Sequence, residues 1–245
     1  MLNATDCNPA DSEPENETQN SKRAKPTSDD EEPFEKLDLA MLASVLSPET
    51  LQALAEFQKE QQKVEELPTD NVHSMDLFKE DWAKSQFWYT KETCTRLVDI
   101  ILGSVSETAI IGCISAPSVY TALAQRGRQS YVFEIDKRFK VFGTDFVYYD
   151  YNLPEVLDEL DGERKLVNQF DVLYIDPPFL SEECFQKMAG TAKLLMKDDC
   201  KLIIVTGHVM REHVLSELGC TPTNVEIEHH GLSNDFYCYT NFETK

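Results

Sequence analysis

From residue 109 onward, short segments that are apolar along their whole length alternate with amphipathic ones. Ala109–Ser115 (AIIGCIS), Ser130–Asp136 (SYVFEID), Phe146–Tyr149, Phe170–Asp176 (FDVLYID) and Cys200–Thr206 (CKLIIVT) are the apolar runs. A strand without a polar side must be covered on both faces, as parallel strands linked by crossover helices are. Helical spacing between the runs predicts helices over Thr90–Leu102, Ser118–Arg126, Pro154–Leu160 and Glu182–Met196. The end of the chain differs. Asn224–His229 and Phe236–Phe242 alternate apolar and polar residues around a turn at Gly231–Asn234, which predicts an antiparallel hairpin at the sheet edge. The expected fold is α/β: a doubly wound, mostly parallel sheet of seven strands ending in that hairpin.

The segment before this alternation has another character. Residues 1–33 contain no aromatic side chain and are rich in Asp, Glu, Asn, Ser and Pro. Such a segment cannot bury enough apolar surface to offset its chain entropy, so a disordered acidic tail is expected. Within it, Lys22-Arg23-Ala24-Lys25 reads either as a weak nuclear-import patch or as three solvated charges. Ser47-Pro48-Glu49 is a helix start, with a hydroxyl N-cap, proline at the first position and an acid near the positive end of the dipole. That helix is expected to run to about Glu66, within a helical extension over residues 34–80. The main domain then occupies residues 81–245.

Charge narrows the partners. The 245 residues carry 44 acids against 23 bases, and residues 1–33 hold only nine of those acids and three of those bases. The folded part is therefore acidic too, so it repels phosphate backbones and favours a basic or neutral protein partner. No apolar run reaches the ~18 residues of a membrane span, and no secretion signal is visible, so a cytoplasmic protein without membrane contact is expected. Seven scattered cysteines without a C-x-x-C pair indicate reduced thiols. Neither they nor the His229-His230 pair form a ligand set, and no metal is expected.

Ligands of open parallel sheets sit beyond the carboxyl ends of the strands. Glu134 lies at such an end, where a carboxylate accepts hydrogen bonds from the ribose of an adenosine-containing cofactor. Asp150-Tyr151-Asn152 follows the next run, with Asp150 placed for an adenine amino group. The first turn, Ser115-Ala116-Pro117-Ser118, lacks G-x-G-x-x-G. A pyrophosphate needs that close backbone approach, whereas the cationic sulfonium of S-adenosylmethionine does not and tolerates acids. Asp176-Pro177-Pro178-Phe179 closes the fourth run. Two prolines stiffen this corner and remove two N–H donors, leaving acceptors to hold an incoming amine and Phe179 as an aromatic wall.

Such Asp-Pro-Pro-Phe corners resemble the Asp/Asn-Pro-Pro-Tyr/Phe motif of S-adenosylmethionine-dependent amino-methyltransferases. Five segments together resemble one eukaryotic family more closely: SQFWY at 85–89, SAPSVY at 115–120, FEIDKRF at 133–139, YDYN at 149–152 and DPPFLSEEC at 176–184. This is the elongation factor 1-alpha lysine methyltransferase family, once labelled a DNA adenine methyltransferase. The resemblance spans roughly Leu46–Phe242 and implies a Rossmann-like class I fold. It also implies transfer of up to three methyl groups from S-adenosylmethionine to a lysine of translation elongation factor 1-alpha. By resemblance, Gln86, Tyr89, Thr90, Ser115, Ala116, Glu134, Asp150 and Tyr151 would contact the cofactor, and Asp176, Pro177, Pro178 and Phe179 the amine.

Lysine and adenine are both amines, and the motif alone leaves the acceptor open, as it leaves open a catalytically inactive relative that binds the cofactor. The acidic chain favours lysine over nucleic acid. Trp82, Phe87, Trp88 and Tyr89 are expected to divide between core and pocket mouth. Cys113 and Cys184 are expected to be buried thiols rather than nucleophiles. The protein is expected to act as a monomer.

Overall fold

A computed structural model of the protein describes residues 47–48, 50–52, 73–153, 165–229 and 235–244. The expected acidic tail, most of the N-terminal extension, the helix at Pro154–Leu160 and the turn at Gly231–Asn234 lie outside them. Two units divide the chain, Met1–Ala53 and Leu54–Lys245. In the first, Ser47 caps the predicted helix start: its hydroxyl accepts the Thr50 N–H at 3.3 Å.

The second unit is a seven-stranded sheet. Its strands are β1 (Ile111–Ile114), β2 (Ser130–Glu134), β3 (Phe146–Tyr148), β4 (Phe170–Ile175), β5 (Met196–Gly207), β6 (Thr221–Pro222) and β7 (Phe236–Thr240). The spatial order is β3-β2-β1-β4-β5-β7-β6. β1 to β5 are parallel, and β7 lies antiparallel to β5 and to β6. The winding reverses between β1 and β4, so the ends of those two strands open a crevice.

Among the described residues the α-helices are α1 (Lys91–Ser104), α2 (Pro117–Gln125), α3 (Glu182–Leu195) and α4 (Arg211–Leu218). Thr90 caps α1 by accepting the Thr93 N–H, and Ser181 caps α3 by accepting the Cys184 N–H. Strand alternation sends side chains to two cores. Cys113, Val172, Tyr174, Ile203 and Val205 pack with Leu97, Val98 and Ile101 of α1 and with Val119 and Leu123 of α2. Ile114, Phe133, Leu173, Ile175 and Ile204 pack with Phe185, Met188 and Leu195 of α3 and with Val214 of α4. Both faces are covered, which is why the strands read as unbroken apolar runs.

The C-terminal end is corrected at two points. Asn224–His229 is not a strand of a hairpin with β7; that place is taken by the two-residue β6. Residues 228–229 instead join the segment before α1. The Thr90 N–H donates to the Glu228 carbonyl at 3.1 Å, the Glu228 N–H donates to Thr93 Oγ1, and Tyr89 bridges His229. The second correction is α4, which the sequence reading passed over.

Gly112, in the central strand, has no room for a side chain. A Cβ there would lie 2.7 Å from Leu173 Cδ2 and 2.9 Å from two ring carbons of Phe170, both fully buried. Gly112→Ala is expected to destabilise the domain by about 1–3 kcal/mol. Urea denaturation measures this, and an unchanged midpoint would mean that the Phe170–Leu173 cluster relaxes freely.

Candidate active site

The carboxyl ends of β1, β2, β3 and β4 surround a cavity of about 420 Å³, within the range of small-ligand sites. Ser115 follows β1, Glu134 ends β2, Asp150 and Tyr151 follow β3, and Asp176 to Phe179 follow β4. All of them line the cavity. Gln86, Phe87 and Trp88 close one side, and His229 and Phe236 another.

The glycine-free first turn is made possible by Ser115, which itself adopts the left-handed conformation at φ 54°. Its N–H donates to the Phe133 carbonyl at 2.8 Å, holding the turn against β2. Ala116 precedes α2 and is buried behind the lining, with Pro117 at the helix start.

Glu134 is 5% exposed. Its Oε1 accepts the backbone N–H groups of Ile135 and Asp136 at 3.1 and 3.2 Å. Burial pushes this carboxyl up to about 7; the Asp136 N–H opposes the rise and the Asp136 charge adds to it. Asp150 Oδ1 accepts the Asn152 N–H at 2.8 Å. In both residues one carboxylate oxygen serves the backbone, and among the described residues no hydrogen bond occupies the other.

Asp176 is half-buried at the end of β4, and its N–H donates to the Ile114 carbonyl at 3.0 Å. The Tyr89 hydroxyl donates to Asp176 Oδ2 at 2.6 Å. Desolvation pushes the Asp176 carboxyl up to about 7; the Tyr89 hydrogen bond opposes this and the Glu134 charge adds to it. Tyr89 is itself buried, and burial followed by the Asp176 charge drives its phenol well above the ordinary range, so it stays a proton donor. Its ring meets His229 at a tilt, 4.4 Å between centroids, and His229 meets Phe236 likewise at 4.5 Å.

The stretch at 85–90 is thereby sorted. Gln86 lines the cavity, yet both ends of its amide are engaged: Nε2 donates to Asp136 Oδ2 at 3.0 Å, and Oε1 accepts from Arg138 at 2.8 Å. Tyr89 stands behind Asp176 rather than in the lining, and Thr90 is the α1 cap. Trp88 donates its indole N–H to the Phe78 carbonyl at 2.8 Å, whereas Trp82 is 70% exposed and meets Phe87 edge-on. Cys113 and Cys184 are buried thiols, both pushed up by desolvation.

Two features escaped the sequence reading. One is the Asp136–Arg138–Gln86 knot, in which burial of Asp136 is outweighed by hydrogen bonds from Arg138 and Gln86 that hold its carboxyl below the usual range. Arg138, two residues after Asp136, was its visible signal. The other is His229 in the cavity wall, which on sequence grounds is only excluded as a metal ligand; His230 lies outside the described residues.

Charge in the lining is one-sided. Among the described residues of the lining, Glu134, Asp150 and Asp176 face one lysine, Lys84, which is paired to Asp81 at 3.0 Å and to Asp136 at 3.5 Å. The site can therefore hold hydroxyl and amino donors and a cationic group; it offers little to a phosphate.

A family model described as "Probable N6-adenine methyltransferase" matches residues 80–244. Human EEF1A lysine methyltransferase 1 is 38% identical over 203 residues, covering 81% of this chain and 92% of the human one. The protein of the same name from Gallus gallus is 40% identical over 204 residues, covering 80% and 93%. Protein-lysine N-methyltransferase EFM5 of Saccharomyces cerevisiae is 39% identical over 232 residues, covering 81% and 92%. In fold, the chain is similar to the branched-chain polyamine synthase C9 mutein of Thermus thermophilus, with a TM-score of 0.51 at 14% identity over 72% of this chain and 64% of that one. A Rossmann-like sheet with acids at the ends of β2, β3 and β4, an Asp-Pro-Pro-Phe corner and this degree of identity place the chain in the EEF1A lysine methyltransferase family.

Proposed function

We propose that the protein transfers methyl groups, up to three, from S-adenosylmethionine to a lysine of translation elongation factor 1-alpha. The observation that carries this reading is the half-buried Asp176, held by Tyr89 beside the proline corner, in a cavity that Glu134 and Asp150 also line. The free oxygen of Glu134 takes the ribose hydroxyls and that of Asp150 the adenine amino group. Ser115 borders the methionine part, with Tyr151 and Gln86 as walls. Tyr89, Thr90 and Ala116 support this wall from behind.

Bound S-adenosylmethionine supplies an electrophilic methyl group on a cationic sulfur. The protein's own groups prepare the nucleophile. A lysine has a pKa near 10.4 in water, so its neutral form costs about 4–5 kcal/mol at pH 7. Desolvation against Phe179 and Pro178 lowers that cost by disfavouring the ammonium. Asp176, with its pKa near 7, accepts an N–H from the amine and then its proton, the match to ambient pH that general bases need. Pro177 and Pro178 keep the corner rigid, so the lone pair is aimed rather than searching.

The substrate is a protein because the cavity and its chain are acidic, and a nucleic acid would have to approach against that charge. Among the described residues no helix is long and apolar enough to cross a membrane. A monomer acting in the cytoplasm, on a soluble factor, accords with these features. The test uses tritiated S-adenosylmethionine with a cell extract. Label released by protease and not by nuclease, on a band of elongation factor 1-alpha, is expected. Nuclease-sensitive label would make the acceptor adenine, and no label would make the protein a cofactor-binding relative.

A further inference from the structure

Half of the eight large apolar side chains exposed among the described residues gather at one corner of the domain: Phe179, Leu180, Val209 and Tyr237. They come from three elements that meet there. Leu180 packs on Gly207, where a Cβ would lie 3.0 Å from both its methyl carbons, and Gly207 pairs across to Phe236 at the start of β7. Val209 lies two residues past Gly207, and the Tyr237 ring meets that of His208 at a tilt, 5.3 Å between centroids. Phe179, Leu180 and Phe236 also line the cavity, and Tyr237, next to Phe236 on β7 and so on the other face of the sheet, carries the apolar strip from the amine corner around the sheet's end. Val209 is 72% exposed at its far end. Clustered exposure of this kind marks an interaction surface, unlike single scattered residues.

The surroundings define the occupant. Glu182, Glu212 and Asp235 stand within three residues of these side chains, against Arg211 and His208. Resting on the methyltransferase reading above, we infer that this strip docks the substrate protein: a basic surface presenting an apolar side chain beside the acceptor lysine. Apolar contact sets affinity there, and the flanking acids steer the basic partner in. A nucleic acid would find acids and apolar groups where it needs cations.

Val209 and Tyr237 lie outside the cavity lining, so their variants separate docking from chemistry. In the full chain, Val209→Ser/Tyr237→Ser is expected to raise KM for purified elongation factor 1-alpha by about tenfold or more. It should leave kcat and the affinity for S-adenosylhomocysteine within about twofold. Val209→Lys, at a position too exposed to affect folding, is expected to raise KM in the same direction by repelling the basic partner. An unchanged KM in both variants would overturn the docking strip while leaving the functional reading intact. A wild-type protein that transfers nothing to the factor would instead sink the functional reading, and the inference with it. If sedimentation showed the substitutions splitting a dimer, the strip would belong to a second copy of this chain, and the inference would fail.

Discussion

Asp176→Ala is expected to lower methyl transfer by about three orders of magnitude or more, while S-adenosylhomocysteine binds within about threefold of wild type. The two effects separate because the cofactor's hydroxyl and amino groups are assigned to Glu134 and Asp150, on β2 and after β3, and the amine to the end of β4. Tyr89→Phe sharpens the test. The phenol donates to Asp176 Oδ2 and so favours the ionised carboxylate against desolvation. Removing it raises the Asp176 pKa above its value of about 7. At saturating cofactor, the wild-type rate should climb steeply up to that pH and less steeply beyond, where only the ammonium of the substrate still titrates. In Tyr89→Phe the break moves to higher pH. A tyrosine that merely packed would lower the rate equally at every pH, and an unmoved break would remove Tyr89 from its positioning role. Full activity in Asp176→Ala would remove Asp176 from the mechanism.

Why Asp176 could be read from the sequence and Tyr89 could not is a matter of distance along the chain. Asp176 ends an apolar run, and in a parallel sheet the end of such a run is a place where ligands bind. Glu134 and Asp150 were legible for the same reason. Tyr89 lies 87 residues from its partner, and nothing local distinguishes a tyrosine that holds a carboxylate from one that touches a cofactor. The first turn shows the same limit: the sequence excludes glycine there, but only the backbone reveals that Ser115 takes the left-handed conformation.

In the fold, β1 to β5 were legible because burial on both faces leaves a continuous apolar signature. β6 is only Thr221-Pro222, with proline at the sheet edge where its missing N–H is harmless, and two residues carry no period. Asn224–His229 alternates as a strand does, yet its last residues bond to the segment before α1, because Thr90 and Thr93 offer a donor and an acceptor there. α4 buries only Val214, so its amphipathic signal is faint. Met210, Val214 and Leu218 at i, i+4 spacing, followed by Gly219 at φ 65°, were the marks of its core face and its end.

Glu134→Gln is the second large effect, and it should move binding and stability in opposite directions. The carboxylate holds two backbone N–H groups through Oε1 and keeps its second oxygen for the ribose. A glutamine can keep the first task but not the charge, so affinity for S-adenosylhomocysteine at pH 8 is expected to fall by about 100-fold, the worth of one or two charge-assisted hydrogen bonds. Stability follows from the raised pKa. Its folded-state value of about 7 lies above the 4.5 of a free glutamate. The neutral form is thus favoured in the fold, and its contribution is fully present below 4.5 and lost as pH rises through 7. Between those limits the apo protein is expected to lose about 2–4 kcal/mol through this one group, a loss that glutamine cannot suffer. Denaturation at pH 5 and pH 8 measures it: the variant should gain on wild type by that amount at the higher pH. The wild-type affinity for the nucleoside should also weaken as pH falls below 7, and the variant's should not. Parallel pH dependences in the two proteins would mean that Glu134 is not the group whose burial is tolerated for the sake of the ligand. If they diverge as expected, the apo domain is least stable at the pH where its binding acid is charged, and the bound nucleoside supplies the missing hydrogen-bond partners, so ligand-induced stabilisation should be larger at pH 8 than at pH 5.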